Sequence, residues 1–303
     1  MPRRECVAPA SGGRPDRRRL ESAARPKDLM PEPADLYDSA ARPNRLLEEA
    51  RELWRFRHLV RELVVRDVTV RYKRSFLGIG WTLLGPLLQM AALTVAFSAI
   101  LKVQIKNYPV YFLAGSLFWN FFAQATGHAA NLTTDALELA KRVYLPRSAF
   151  VASAIGVALV NLVLSLVPLL LIALATGHPP GLTWFFLPVS IVIGSAFTAG
   201  VGLIVFTLAC RFIDVRDTYI VLLQPWFFLT PILYPREIVP QRFQVLMRYN
   251  PMTYLVEVFR APIYDGWLPG WKTLLFSLLA AVASLAVGWW FYASRIDDYA
   301  SRN

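Results

Sequence analysis

The chain has 303 residues, 55% of them hydrophobic and 13% aromatic, with a mean hydropathy of +0.41. That is more apolar surface than one soluble core of this size buries, which excludes an ordinary cytosolic domain and calls for lipid as the solvent. The net charge of +11 does not point to nucleic acid, because Lys and Arg gather before residue 75 and at the ends of apolar blocks.

Residues 1–44, rich in Arg, Pro, Ala and Asp, read as a disordered cytoplasmic tail, with Met30 as a later candidate start. The first apolar block begins near Trp81, too late for a secretory signal. Residues 45–80 are read as an interface helix and linker. Within 45–74, Leu46, Leu53, Phe56, Val60, Leu63 and Val70 recur at helical spacing, while Arg51, Arg55, Arg57, Arg61, Arg66 and Arg71 cover the rest. So charged a helix cannot span. It is expected to lie on the cytoplasmic face against lipid phosphates, the other reading being a soluble helix packed on a partner protein.

A hydrocarbon core about 30 Å thick takes about 20 helical residues to cross. Six candidates follow: 81–101, 111–130, 149–176, 183–209, 218–233 and 273–293. The fifth is short and holds Pro225 and Pro231. With both ends inside, the inner segments hold 25 of the 32 Lys and Arg residues, which sets an N-in, C-in orientation. The expected fold is therefore all-α and integral to the membrane, with six transmembrane helices over 81–295 and a cytoplasmic C-terminus over 296–303. Between the last two spans, 235–270 is broken by Pro240, Pro251, Pro262 and Pro269. Segments 241–249 and 252–263 are expected as short helices dipping back into the outer leaflet, since Leu246, Met247, Leu255, Val256, Val258 and Phe259 would otherwise face water.

Chemistry was sought along the same path. No Gly-rich loop ending in Lys and Ser or Thr occurs, so the chain has no phosphate cradle of that kind. Cys6 and Cys210 offer neither a disulfide framework nor a ligand spacing, and His58, His128 and His178 are scattered, so no metal site is expected. Asn131-Leu132-Thr133 matches a glycosylation sequon but falls on the inner side. The spans carry essentially no ionisable residue, so any transport must draw its energy from a partner rather than from an internal ion relay. Phe118, Trp119, Phe121 and Phe122, and Trp226, Phe227 and Phe228, cluster more densely than an interfacial belt requires. Such rings stack on sugars and equally fill helix contacts. The charged, amphipathic stretch 137–150 suits docking into a cytoplasmic partner, or is a plain solvated connection.

Several stretches together resemble a known family. They are Arg61-Glu62-Leu63-Val64-Val65-Arg66-Asp67-Val68-Thr69-Val70-Arg71-Tyr72 with Ser75-Phe76-Leu77-Gly78-Ile79-Gly80-Trp81, Lys141-Arg142-Val143-Tyr144-Leu145-Pro146-Arg147, Phe212-Ile213-Asp214-Val215-Arg216-Asp217, Thr230-Pro231-Ile232-Leu233-Tyr234 and Tyr249-Asn250-Pro251-Met252. In this order, over about residues 50–295, they are similar to the permeases of type-2 ABC exporters for polysaccharides such as O-antigen, capsule and teichoic acid precursors.

The resemblance implies a homodimer in the inner membrane, joined by two ATPase subunits that bind ATP and Mg, with no cofactor in this chain. It implies that a lipid-linked polysaccharide enters at Leu77 and Gly78 and passes a channel lined by Phe97, Trp119, Trp226, Phe227, Phe228 and Tyr234. Lys141, Arg142, Tyr144, Leu145, Pro146 and Arg147 would couple to the ATPase. Arg61, Arg66 and Arg71 would belong to the interface helix, and Tyr249, Tyr254 and Phe259 to an outer gate. The tail before residue 45 has no counterpart in the family pattern. Two other classes stay open, a permease for a small drug or lipid and a membrane glycan-modifying enzyme. The enzyme would need paired carboxylates, and Glu237, Glu257 and Asp265 are not spaced as a pair.

Overall fold

In the computed structural model residues 45–73, 80–96, 105–133 and 146–300 are described, apart from the side chains of 45–47, 71–72, 81–83 and 296–300. The described residues are helical almost throughout and include no strand. In chain order the helices are α1 (Arg45–Arg55), α2 (Arg57–Lys73), α3 (Gly80–Val95), α4 (Tyr108–Asn131), α5 (Ser148–Ala175), α6 (Leu187–Arg211), α7 (Asp214–Leu229), α8 (Gln241–Tyr249), α9 (Pro251–Arg260) and α10 (Trp271–Ala300). A 3₁₀ turn, Leu182–Phe186, leads into α6, and a π-helical turn, Ala261–Asp265, follows α9.

A helix stands at each of the six expected span positions. Three segments, Ser148–Ala175, Leu182–Arg211 and Trp271–Arg295, are long and apolar enough among the described residues to cross a membrane. α4 has 24 residues but is less apolar, and burial explains why: 18 of them are covered by other helices. It packs against α3, α5, α6, α7 and α9. A helix shielded from lipid can carry polar side chains if each finds a partner. Thr126 Oγ1 donates to the Phe122 carbonyl (2.8 Å), and Gln124 accepts from Asn161 Nδ2 (3.0 Å). α10, by contrast, leaves Phe276, Leu279, Val282, Leu285 and Trp290 bare on its outer side, a surface that suits lipid tails.

Two expectations need correction. Residues 45–74 are not one helix: a turn at Phe56 separates α1 from α2, although Phe56 N–H still donates to Glu52 O (2.8 Å) and Val60 N–H to Phe56 O (3.1 Å). α1 packs on α10 and on the start of α5, while α2 runs along α5, and the turn lets each half follow its own contacts. α7 also ends at Leu229 rather than 233, and Thr230 is extended (φ −99°, ψ 134°), as the residue before Pro231 prefers.

The short helices fall where expected, but their burial differs. α9 buries Met252, Leu255, Val256, Val258 and Phe259 in the bundle. α8 buries only Met247 and leaves Phe243, Val245, Leu246 and Tyr249 exposed. At the opposite end of the bundle Leu63 of α2 joins Ala129, Leu132, Phe150, Ala154, Phe206 and Tyr292 in a separate apolar cluster.

Candidate functional site

Along α3, α4 and α7 runs a groove of about 340 Å³, lined by Gln89, Trp119, Asn120, Ala123, Ile220, Leu223, Gln224, Phe227 and Phe228. Its aromatic side is assembled edge to face. Trp119 meets Trp226 at 5.9 Å and 82°, and Phe227 at 5.6 Å and 61°. Phe122 meets Trp226 at 5.2 Å and 80°, and Phe227 meets Phe228 at 5.4 Å and 79°. Edge-to-face pairs place the positive ring edge on the negative face of the neighbour, a modest preference over face-to-face stacking. Tyr219 adds a tie between α7 and α4, its hydroxyl donating to Thr126 Oγ1 at 2.8 Å.

No lining residue of this groove is charged. Three primary amides are present instead, Gln89 and Gln224 exposed and Asn120 half-buried, and each offers both donors and an acceptor. Rings with amides and no charge suit a neutral, polyhydroxylated ligand that binds in many registers. The groove presents no nucleophile–base pair, and among the described residues no three His, Cys, Asp or Glu side chains converge on a point.

The backbone that follows the C-terminal end of α7 is held by a buried polar network. Asn250 Oδ1 accepts from Trp226 Nε1 (3.0 Å) and from Met252 N–H (3.0 Å), while its amide donates to Thr230 Oγ1 (3.0 Å). One side chain thus caps α9, fixes the indole of Trp226 and anchors the non-helical stretch after α7. Arg260, also buried, donates to the Pro231 carbonyl (2.9 Å) and lies 4.2 Å over the ring of Tyr111, and Tyr108 donates to Leu233 O (3.2 Å). Beside this network a second cavity of about 450 Å³ carries both signs of charge, from Lys106, Arg236, Glu237, Glu257, Arg260 and Asp265. There Arg236 pairs with Glu257 at 2.6 Å. Partial burial raises the Asp265 carboxyl above its ordinary pKa, with Glu257 and Glu237 adding to the shift and Arg260 and His178 opposing it.

Of the residues singled out for a channel, Trp119, Phe227 and Phe228 share the groove, and Trp226 stands behind Trp119. Tyr234 is turned back, its hydroxyl donating to the Phe228 carbonyl (2.5 Å). Phe97, Leu77, Gly78, Lys141, Arg142, Tyr144 and Leu145 lie outside the described residues, as does the side chain of Arg71. Pro146 is buried and Arg147 half-buried where α5 begins. Arg61 and Arg66 are exposed, Arg66 pairing with Asp67 at 2.9 Å. The three gate candidates are dispersed: Tyr249 is 82% exposed, Tyr254 is half-buried beneath the Arg236 guanidinium, and Phe259 is fully buried against Phe118.

The groove amides, Arg260, Tyr108 and Tyr111 were not singled out from the sequence, and Asn250 stood there only within the stretch Tyr249-Asn250-Pro251-Met252. Asn250 had a readable signal, an Asn directly before a Pro, the pattern of a helix N-cap followed by N1. The amides were findable as uncharged polar residues inside apolar blocks.

The pattern of the ABC-2 type transporter family matches residues 58–264. The chain belongs to the ABC-2 type transporter family. As a member of that family it is a transport subunit. It is 31% identical over 254 residues to an "O-antigen export system permease protein RfbA" of Myxococcus xanthus, covering 82% of this chain and 97% of that protein. A protein of the same name from Klebsiella pneumoniae is 28% identical over 204 residues, 67% of this chain and 79% of the relative. The "Polysialic acid transport protein KpsM" of Escherichia coli is 21% identical over 243 residues, 78% of this chain and 93% of the relative.

Proposed function

We propose that this ABC-2 chain is the membrane subunit of an ATP-driven exporter that carries a lipid-linked, O-antigen-like polysaccharide across the inner membrane. The observation that carries the reading is the uncharged groove of Trp119, Phe227, Phe228, Gln89, Asn120 and Gln224. Relatives named for O-antigen export and polysialic acid transport support a polysaccharide as the substrate, while the preference for a neutral chain rests on the groove alone, since polysialic acid is anionic. The subunit works as a homodimer with two ATPase subunits, which bind ATP and Mg. It has six spans and keeps both termini inside.

In this reading the glycan enters at Leu77 and Gly78, slides over ring faces and amides, and leaves past α8 and α9. Ring stacking and amide hydrogen bonds recur at every sugar, so each step exchanges one set of contacts for a similar one and no deep well halts the chain. ATP closure of the partner subunits is delivered at 141–147 and shifts the helices around the groove. No bond in the glycan is made or broken.

Deleting the gene in its host tests the proposal. Loss of surface glycan with lipid-linked glycan accumulating inside is the expected result. Unchanged surface glycan would reject the substrate class and favour a permease for a small drug or lipid.

A further inference from the structure

At the end of the bundle that carries α1 and α2, the stretch 134–145 connects α4 to α5 in the sequence, and helix ends on both sides of it meet a carboxylate from the N-terminal helices. On the α4 side, His128 Nε2 lies 3.4 Å from Asp67 Oδ2 of α2. On the α5 side, Ser148 Oγ donates to Glu49 Oε2 of α1 at 3.4 Å. Both acids are withdrawn from water, Glu49 being buried and the Asp67 side chain 14% exposed. A helix serving only as a lipid anchor would turn its acids outward, since burying a carboxylate is unfavourable unless it is paired.

The apolar packing repeats the arrangement. Leu63 is buried in one cluster with Ala129 of α4, Leu132 just past its end, and Phe150 and Ala154 of α5. At Gly156 of α5 an added Cβ would sit 2.6 Å from Val64 Cγ2, so α2 presses against the α5 backbone there. The fully buried Tyr292 of α10 lies beside Ser148 with Glu49 and Arg147 in electrostatic reach, which brings α10 into the same knot.

We propose that Glu49 and Asp67 are positioning residues that clamp α1 and α2 to both flanks of the ATPase-docking loop, so that motion delivered at the loop is carried into α2 and the chain that follows it. This rests on the reading of 141–147 as the docking segment. The N-terminal helices then transmit force as well as resting on lipid.

The test uses the complete complex with its ATPase, reconstituted in vesicles, with a Glu49→Ala, Asp67→Ala double variant and Glu62→Gln as an exposed control on α2. The clamp predicts that the complex assembles and hydrolyses ATP while glycan exported per ATP falls about tenfold, within the usual range of coupling between sites. Glu62→Gln should export normally. Asp67→Glu, which keeps a carboxylate facing His128, should retain export when Glu49 is intact. Export and ATP hydrolysis falling in proportion, or export unchanged, would overturn the clamp. Replacing 141–147 with a Gly-Ser linker separates the two claims. Release of the ATPase upholds docking whatever the acid variants do, and retained ATPase binding would reject docking and the clamp together.

Discussion

Two helix contacts in this bundle are built on opposite principles. α6 and α10 touch backbone to backbone: a Cβ at Gly200 would fall on the Ser284 carbonyl, and one at Gly288 on the Gly200 carbonyl oxygen. Ser284 Oγ adds a hydrogen bond to Phe197 O at 3.0 Å. Small residues let membrane helices approach this closely, and the contact leaves no side chain that can rotate to change the spacing. α4 and α7 meet instead through Trp119, Trp226 and Phe227, with a groove of about 340 Å³ alongside. Rings can re-pack around a passing ligand where backbones in contact cannot. The bundle therefore has a fixed half and an adaptable half, and the groove lies on the adaptable one.

Breaking the fixed contact should have the largest effect. Gly200→Leu forces α6 and α10 apart, at a cost of about 3 kcal/mol or more, and thermal unfolding in detergent should show little folded protein. Gly127→Ala is the control, because nothing lies within 4 Å of an added Cβ there, and its melting temperature should stay near that of the parent.

The network that frames the adaptable side comes next. Asn250→Ala removes the α9 cap and leaves the half-buried Trp226 indole N–H without its acceptor. Together these cost about 2–3 kcal/mol, read as a lowered unfolding midpoint. Gln224→Leu sharpens the comparison from the other side. The amide is exposed in the groove, so stability should change by no more than about 0.5 kcal/mol while glycan export drops severalfold.

The smallest effect belongs to Asp265. Its folded pKa is raised, so its contribution to stability is fully present below the unfolded pKa and is lost as pH rises through the folded value. Asp265→Asn should therefore melt slightly above the parent at neutral pH, and the difference should vanish in acid. A difference that persists in acid would rule out this origin.

The helices were legible because apolar blocks of spanning length and Pro punctuation carry strong local signals: α5, α8 and α10 begin within two residues of the expected positions. The break at Phe56 was not legible, since it answers to packing on α5 and α10 that exists only once the bundle has formed. Pro231 did announce the end of α7, but the apolar Ile232 and Leu233 drew the expected span past it. The aromatic half of the groove was visible as a cluster of rings. Its amide half was not, because Gln89, Asn120 and Gln224 lie on three helices and meet only when those helices pack. Arg260 gave no sign of burial, because Glu257 three residues earlier on α9 suggests an ordinary surface pair, whereas its partners are the Pro231 carbonyl and the Tyr111 ring.

The central claim is that glycan passes along the α3, α4 and α7 groove. A photo-crosslinking side chain placed at position 224, and at the outward-facing position 276 of α10 as control, tests it in vesicles holding the complete transporter and lipid-linked glycan. The account predicts ATP-dependent crosslinks to glycan from 224 and none from 276. Equal labelling at both positions, or none at 224 while export proceeds, would contradict it.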